Sequence, residues 1–238
     1  MGEEETIVTY TAPEPVSDLH LVATDSSLTA TWTSSGGNSF TIELYLDGQT
    51  VNTANSTLPT WRFDGLKTAA NYTVIVYTFS GYLNSLPVNS SCFTKPLPPT
   101  NARTQIYDKH QITIQWNPPD NIAPRAMYSL KISSGFWGYS MSYTTTTTSY
   151  QFGDLKSGTK YNFEVQTMAG NETSGAVVVS QCTAAEKREI SLSMLCSSAV
   201  PLLCDNTTTR KHVFEKLNAR FNMLLRDSVF WTLEKQET

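Results

Sequence analysis

FDGLKTAANYTVIVYT, Phe63 to Thr78, and FGDLKSGTKYNFEVQT, Phe152 to Thr167, are two copies of one pattern. Each runs aromatic residue, Gly/Asp turn, Leu, Lys, small polar residues and Tyr. Each then alternates apolar with polar side chains. Leu66 precedes Tyr72 by the interval that separates Leu155 from Tyr161. Alternation with period two turns one side of a strand to a core and the other to water. In the first copy Tyr72, Val74, Val76 and Thr78 share the inward side. The two copies predict two β-rich units.

Working outward from the first copy, short strands follow one another with turn signals between them. Asp18 to Ala23 alternates. Leu28 to Thr33 puts Leu28, Ala30 and Trp32 on one face. Ser39 to Leu46 groups Phe40, Ile42, Leu44 and Leu46, and stops at Asp47-Gly48. Thr60 to Phe63 leads into the Leu66 corner, Asn71 to Phe79 follows it, and Val88 to Phe93 closes the unit. Around the second copy, Gln111 to Trp116 repeats the pattern with Ile112, Ile114 and Trp116 together. Trp32 and Trp116, Leu66 and Leu155, Tyr72 and Tyr161, and Cys92 and Cys182 are read as one period, of roughly ninety residues, which is a domain period and not a solenoid one. The first unit is bounded at residues 13–95 and the second at 96–184. Lys95-Pro96-Leu97-Pro98-Pro99 joins them, and prolines stiffen such a link.

The chain of 238 residues, 39% hydrophobic and 16% charged, has the profile of a globular protein with room for two domains. Its net charge of −4 gives nucleic acid no basic footprint to bind. Lys and Arg are sparse in the first unit (Arg62, Lys67 and Lys95) and concentrated after Ala185. Met1 is followed by Gly2 and by Glu3 to Glu5, where a secretory leader would be apolar. Gly2 and Thr6 fit a myristoylation pattern, but the adjacent carboxylates oppose an anionic leaflet, so the match is read as accidental. Thr6 to Pro13 alternates and ends in proline, like Val88 to Pro96. Residues 1–12 are therefore expected to be the remnant of a preceding module or a disordered lead, and the chain a piece of a longer array.

The leading prolines, the Trp ending the second strand and the Leu-x-x-x-x-x-Tyr corner resemble fibronectin type III modules. Trp32, Leu66 and Tyr72 carry the resemblance in one unit, and Trp116, Leu155 and Tyr161 in the other. The resemblance implies an all-β fold of two tandem seven-stranded immunoglobulin-like sandwiches. The Cys…Trp…Cys signature of true immunoglobulin domains is absent from both units. The linkers and the Asn- and Thr-rich strands are similar, more loosely, to ectodomains of receptor-type protein tyrosine phosphatases.

Residues 185–238 depart from the pattern. Ile190 to Leu203 is uncharged, but it is short and contains Pro201, which argues against a membrane span. A helix is expected over 210–226, capped from Thr207 to Thr209, with Phe214, Leu217, Phe221, Leu224 and Leu225 at helical spacing. Phe230 to Leu233 reads as a strand. Strand, helix and strand faintly resemble the start of a SEA domain, and the segment is expected to be a truncated module.

No catalytic, cofactor-binding or metal-binding constellation is legible. His20, His110 and His212 stand apart, and no GxSxG, P-loop, GxGxxG or HExxH occurs. No Cys sits in a phosphatase signature loop. Asp47, Asp64, Asp120 and Asp154 lie at turns, where Asp bonds its own backbone. Cys92, Cys182, Cys196 and Cys204 form no CxxC, and they are open to two readings, disulfides or buried free thiols. Five sequons place candidate N-glycosylation acceptors at Asn55, Asn71, Asn89, Asn171 and Asn206.

Phe136-Trp137-Gly138-Tyr139, followed by Met141 and Tyr143, is the densest aromatic run. On a hairpin, Phe136, Trp137 and Tyr139 could form an interface hot spot. Packing of alternate aromatics on a sheet face is the favoured reading. Thr144 to Thr148 is β-branched and reads as strand.

The expected function is non-enzymatic protein–protein interaction, outside the cell or at its surface, within a longer parent protein. The partner would be a protein, not nucleic acid or a small-molecule substrate, and the membrane would be met only through other parts of that parent. The alternative is the ectodomain of a receptor tyrosine phosphatase whose catalytic domain lies outside this chain. An intracellular structural array is disfavoured by the sequons and paired cysteines.

Overall fold

The computed structural model describes residues 11–36, 39–186 and 207–225. In the first sandwich β1 (Ser17–Ala23), β2 (Ser27–Thr33), β3 (Phe40–Leu46), β4 (Gln49–Ser56), β5 (Thr60–Asp64), β6 (Asn71–Ser80), β7 (Leu83–Asn84) and β8 (Val88–Phe93) follow in order. One sheet is β1-β2-β5; in the other β4, β3 and β6 run side by side, with β8 on β6 and the two-residue β7 at its end. All these pairings are antiparallel. The facing sides bury Leu28, Ala30 and Trp32 against Phe40, Ile42, Leu44, Tyr72, Val74 and Val76.

β4 falls where no strand was expected. QTVNTANS has no apolar alternation, because β4 is a sheet edge whose side chains are mostly exposed. The turn before it supplies the signal instead. Asp47 and Gly48 take φ of 50° and 75°, the left-handed pair of a two-residue hairpin whose twist matches its strands.

The second sandwich repeats the plan. Strands β9 (Thr100–Tyr107), β10 (Ile112–Asn117) and β13 (Ser149–Phe152) form one sheet. Strands β11 (Met127–Ser134), β12 (Tyr139–Thr145), β14 (Lys160–Ala169) and β16 (Val177–Cys182) form the other, with the two-residue β15 (Glu172–Thr173) at the end of β14. Ile112, Ile114 and Trp116 on one sheet and Leu130, Ile132, Tyr161, Phe163 and Val165 on the other are buried. The strand expected over Thr144 to Thr148 stops at Thr145. Thr145 Oγ1 accepts from the Thr147 N–H at 3.1 Å, and Thr147 Oγ1 donates to the Ser149 carbonyl at 2.7 Å. These local hydroxyl bonds favour a turn over a ladder.

The cysteines are one residue out of step. Cys92 lies opposite Tyr72 in the β6–β8 ladder, whereas Gln181 lies opposite Tyr161, and Cys182 faces Lys160. Cys92 and Cys182 are therefore not equivalent, because a shift of one residue along a strand turns the side chain to the other face. Both are free thiols, and burial raises the pKa of each. Cys196 and Cys204 lie outside the described residues.

The helix α1 (Thr207–Leu225) covers the expected helix from 210 through 225, with Thr207 to Thr209, expected as its cap, inside its first turn; residue 226 lies outside the described residues. Val213, Phe214, Leu217 and Phe221, at helical spacing, are half-buried. The expected preceding module at the start, the uncharged stretch Ile190 to Leu203 and the strand Phe230 to Leu233 lie outside the described residues. Among the described residues no helix is long and apolar enough to cross a membrane.

Candidate functional site

The two corners share one construction. The hydroxyl of Tyr72 accepts from the Lys67 N–H at 3.0 Å, and that of Tyr161 from the Lys156 N–H at 2.9 Å. Leu66 N–H donates to the Ser26 carbonyl, and Leu155 N–H to the His110 carbonyl. Leu66 and Leu155 are buried beside them, as are Trp32 and Trp116 in the cores. Each corner contains two left-handed residues. In the first they are Gly65 and Ala69, and in the second Asp154 and Gly158. Glycine thus occupies opposite positions of the two corners.

Two hydroxyl devices recur that the sequence reading did not single out. Thr94 Oγ1 accepts from the Ala70 N–H and donates to the Lys67 carbonyl. Thr183 Oγ1 does the same with Thr159 and Lys156. Each pins the end of the last strand to the corner. Ser85 Oγ accepts from Thr78 N–H, and Ser174 Oγ from Thr167 N–H, closing the hairpin after β6 and β14. Their signal was recurrence at the period of the corner, without hydrophobicity to mark it.

The aromatic run forms the turn between β11 and β12 and lies against its own corner. Gly138 takes φ of 61° there, a conformation that glycine adopts without a Cβ clash. The indole N–H of Trp137 donates to Thr159 Oγ1 at 3.2 Å. The Lys156 ammonium sits 4.6 Å from the centre of the Trp137 ring, within cation–π range. Phe136 meets Trp137 edge-on at 4.8 Å, and Tyr139 meets Tyr161 edge-on at 6.2 Å. Phe136 and Tyr139 are half-buried, but Trp137 keeps 48% of its surface exposed. The run therefore divides, with Phe136 and Tyr139 packed and Trp137 anchored at its nitrogen with ring surface in water. Burial, with the neighbouring Tyr143, raises the Tyr139 pKa.

Among the described residues the first sandwich has no such feature. Its equivalent turn is Asp47-Gly48, and Ala70, which occupies the place of Thr159, has no hydroxyl.

Of the sequon asparagines, Asn55 is in β4, Asn71 opens β6, Asn89 is in β8 and Asn171 sits in the turn between β14 and β15. All four are exposed. Asn206 lies outside the described residues. His110 Nδ1 lies 2.9 Å from the Leu155 carbonyl, a structural contact, and His20 and His212 are exposed. Among the described residues no group of three or more His, Cys, Asp or Glu side chains could hold a metal ion.

Comparison with known proteins agrees with this architecture. Residues 97–180 match the Fibronectin type III domain family. The chain is similar to human Receptor-type tyrosine-protein phosphatase H, 25% identical over 185 residues, covering 75% of this chain and 17% of that protein. It is similar to human Receptor-type tyrosine-protein phosphatase eta, 27% identical over 155 residues, covering 63% of this chain and 11% of that protein. The chain thus spans less than a fifth of either relative. Among solved structures, a two fibronectin type III domain segment from chicken tenascin aligns with a TM-score of 0.55 at 18% identity, covering 71% of this chain and 100% of that one. The likeness to tenascin is one of fold.

Proposed function

We propose that this tandem of fibronectin type III modules is a non-catalytic, extracellular protein-interaction segment of a larger receptor. The observation that carries the reading is the half-exposed Trp137. A large ring held at its N–H by Thr159 and covered on one face by Lys156 presents apolar surface in a fixed orientation. Fixed aromatic surface loses little side-chain entropy on contact, which is why Trp recurs among interface hot spots. The partner is a protein, met by surface complementarity and not by a pocket. The sequons fit an extracellular setting.

The test displays the full chain as a tetramer on a panel of intact cells and compares it with Trp137→Ala. Saturable binding is expected for the parent, weakened by about 2 kcal/mol or more in the variant. The variant should keep a dispersed spectrum, because Tyr139 still packs on Tyr161 at the corner. Equal binding by both proteins would remove Trp137 from the interface.

The two phosphatase relatives favour a narrower second reading, in which these modules belong to the ectodomain of a receptor-type tyrosine phosphatase. Extending the reading frame decides it. A membrane span followed by a phosphatase domain is expected, and a continuing array that ends in neither would refute it.

A further inference from the structure

Three of the sequon asparagines share one surface. Residues directly opposite in an antiparallel pair point to the same side of the sheet. Asn55 lies opposite Thr41, which lies opposite Tyr77. Asn89 lies opposite Ile75, and Asn71 opposite Phe93, on either side of the pair Thr73 and Ser91. The intervening residues Ile42, Tyr72, Val74 and Val76 are buried in the core, so this side is the outer face of the sheet built from β4, β3, β6 and β8. Two of the sequon hydroxyls meet on it, with Thr73 Oγ1 and Ser91 Oγ 2.8 Å apart.

The spacing suits bulky substituents. Asn71 and Asn89 are offset by four residues along the strands, about 13 Å. Asn55 stands two strands from Asn71 and three from Asn89, about 10 and 14 Å across. Between them lie Tyr45, Ile75 and Tyr77, half-buried and apolar on a side that faces water. Glu43 is the charge among them, and it accepts from the Tyr45 hydroxyl at 2.9 Å. The matching face of the second module is built differently. Lys131 and Glu164 pair across it at 3.2 Å, and Asn162 accepts from Ser180. That face holds no sequon. The described acceptor of that module, Asn171, is at a hairpin tip.

We propose that Asn55, Asn71 and Asn89 are N-glycosylated and that their glycans cover the outer face of the β4-β3-β6-β8 sheet, which leaves protein contact to other surfaces. The inference rests on the extracellular reading above. In each transfer the Asn Nδ2 bonds to the anomeric carbon of a lipid-linked diphospho-oligosaccharide. The bond from that carbon to the diphosphate oxygen breaks, the lipid diphosphate leaves, and the amide loses one proton. The pyranose rings then lie over Tyr45, Ile75 and Tyr77.

The test secretes the full chain from mammalian cells behind a cleavable leader. Enzymatic release of N-glycans in heavy-oxygen water converts each modified Asn to labelled Asp, read by peptide mass spectrometry. Label at Asn55, Asn71 and Asn89 is expected. Carbene footprinting of the native protein should then show labelling of Tyr45, Ile75 and Tyr77 rising several-fold once the glycans are removed. The parent treated with the enzyme serves here, so that a misfolded Asn→Gln variant cannot confuse the result. Label at Asn171 with the three face sites bare overturns this inference and leaves the extracellular reading standing. No label at any sequon also overturns this inference, and the extracellular reading is judged separately by the cell-binding test. Full occupancy with an unchanged footprint overturns the covering.

Discussion

Tyr161 shows how much of a module one hydroxyl can hold. Its ring is buried, and its oxygen is the acceptor for the Lys156 N–H. Replacing it by Phe leaves that part-buried N–H without its partner, so Tyr161→Phe should destabilise the second module by about 1–3 kcal/mol, read as a lower melting temperature. The same residue sets a pH dependence. Burial raises the Tyr161 pKa above its ordinary value, with the Lys156 N–H opposing in part. A folded pKa above the unfolded one contributes stability that is fully present below the unfolded value, near 10, and lost as pH rises through the folded value. The module should therefore weaken on alkaline titration, with a shallower loss in Tyr161→Phe. Equal slopes in parent and variant would contradict the assignment.

The corners also carry the clearest prediction about an element. Ala69 holds φ of 55°, where the second corner uses Gly158 at 59°. An L-residue in the left-handed region costs roughly 1–2 kcal/mol, and part of that is returned to the flexibility of an unfolded glycine. Ala69→Gly should raise the stability of the first module by about 0.5–1 kcal/mol, checked by chemical denaturation. A fall in the midpoint would mean that the Ala69 methyl packs better than its conformation costs. The corner strands were legible in the sequence because burial on one side writes itself as alternation, as in Tyr72, Val74 and Val76. β4 was not legible, since an edge strand in water has no apolar side to display. The register of Cys182 was hidden for a related reason, because the period of the repeat shifts by a single residue between Cys92 and its true counterpart Gln181. The anchoring of Trp137 on Thr159 was illegible too. It joins two loops far apart in sequence, and neither residue type announces the other.

At the scale of the molecule, each module has its own Trp, its own corner and its own closure of the last strand. Lys95 N–H closes on Thr24 and Ala184 N–H on Asp108. Residues 13–95 expressed alone should give a dispersed, β-rich spectrum and a cooperative melt, and an unfolded product would show that the first module needs more chain. The closure at Lys95 has a mechanical consequence. Because Lys95 meets the far end of β1, strands β1 and β8 run the same way, and the chain enters the module at one end and leaves at the other. The Thr68 hydroxyl ties down the exit, donating to the Lys95 carbonyl and accepting from the Leu97 N–H on either side of Pro96. β1 is hydrogen-bonded to β2 and β8 to β6, in different sheets. Tension drawn through the chain ends therefore pulls along both ladders and loads their hydrogen bonds side by side in shear. It does not peel them open one by one, so the module should resist such a pull as a single cooperative unit.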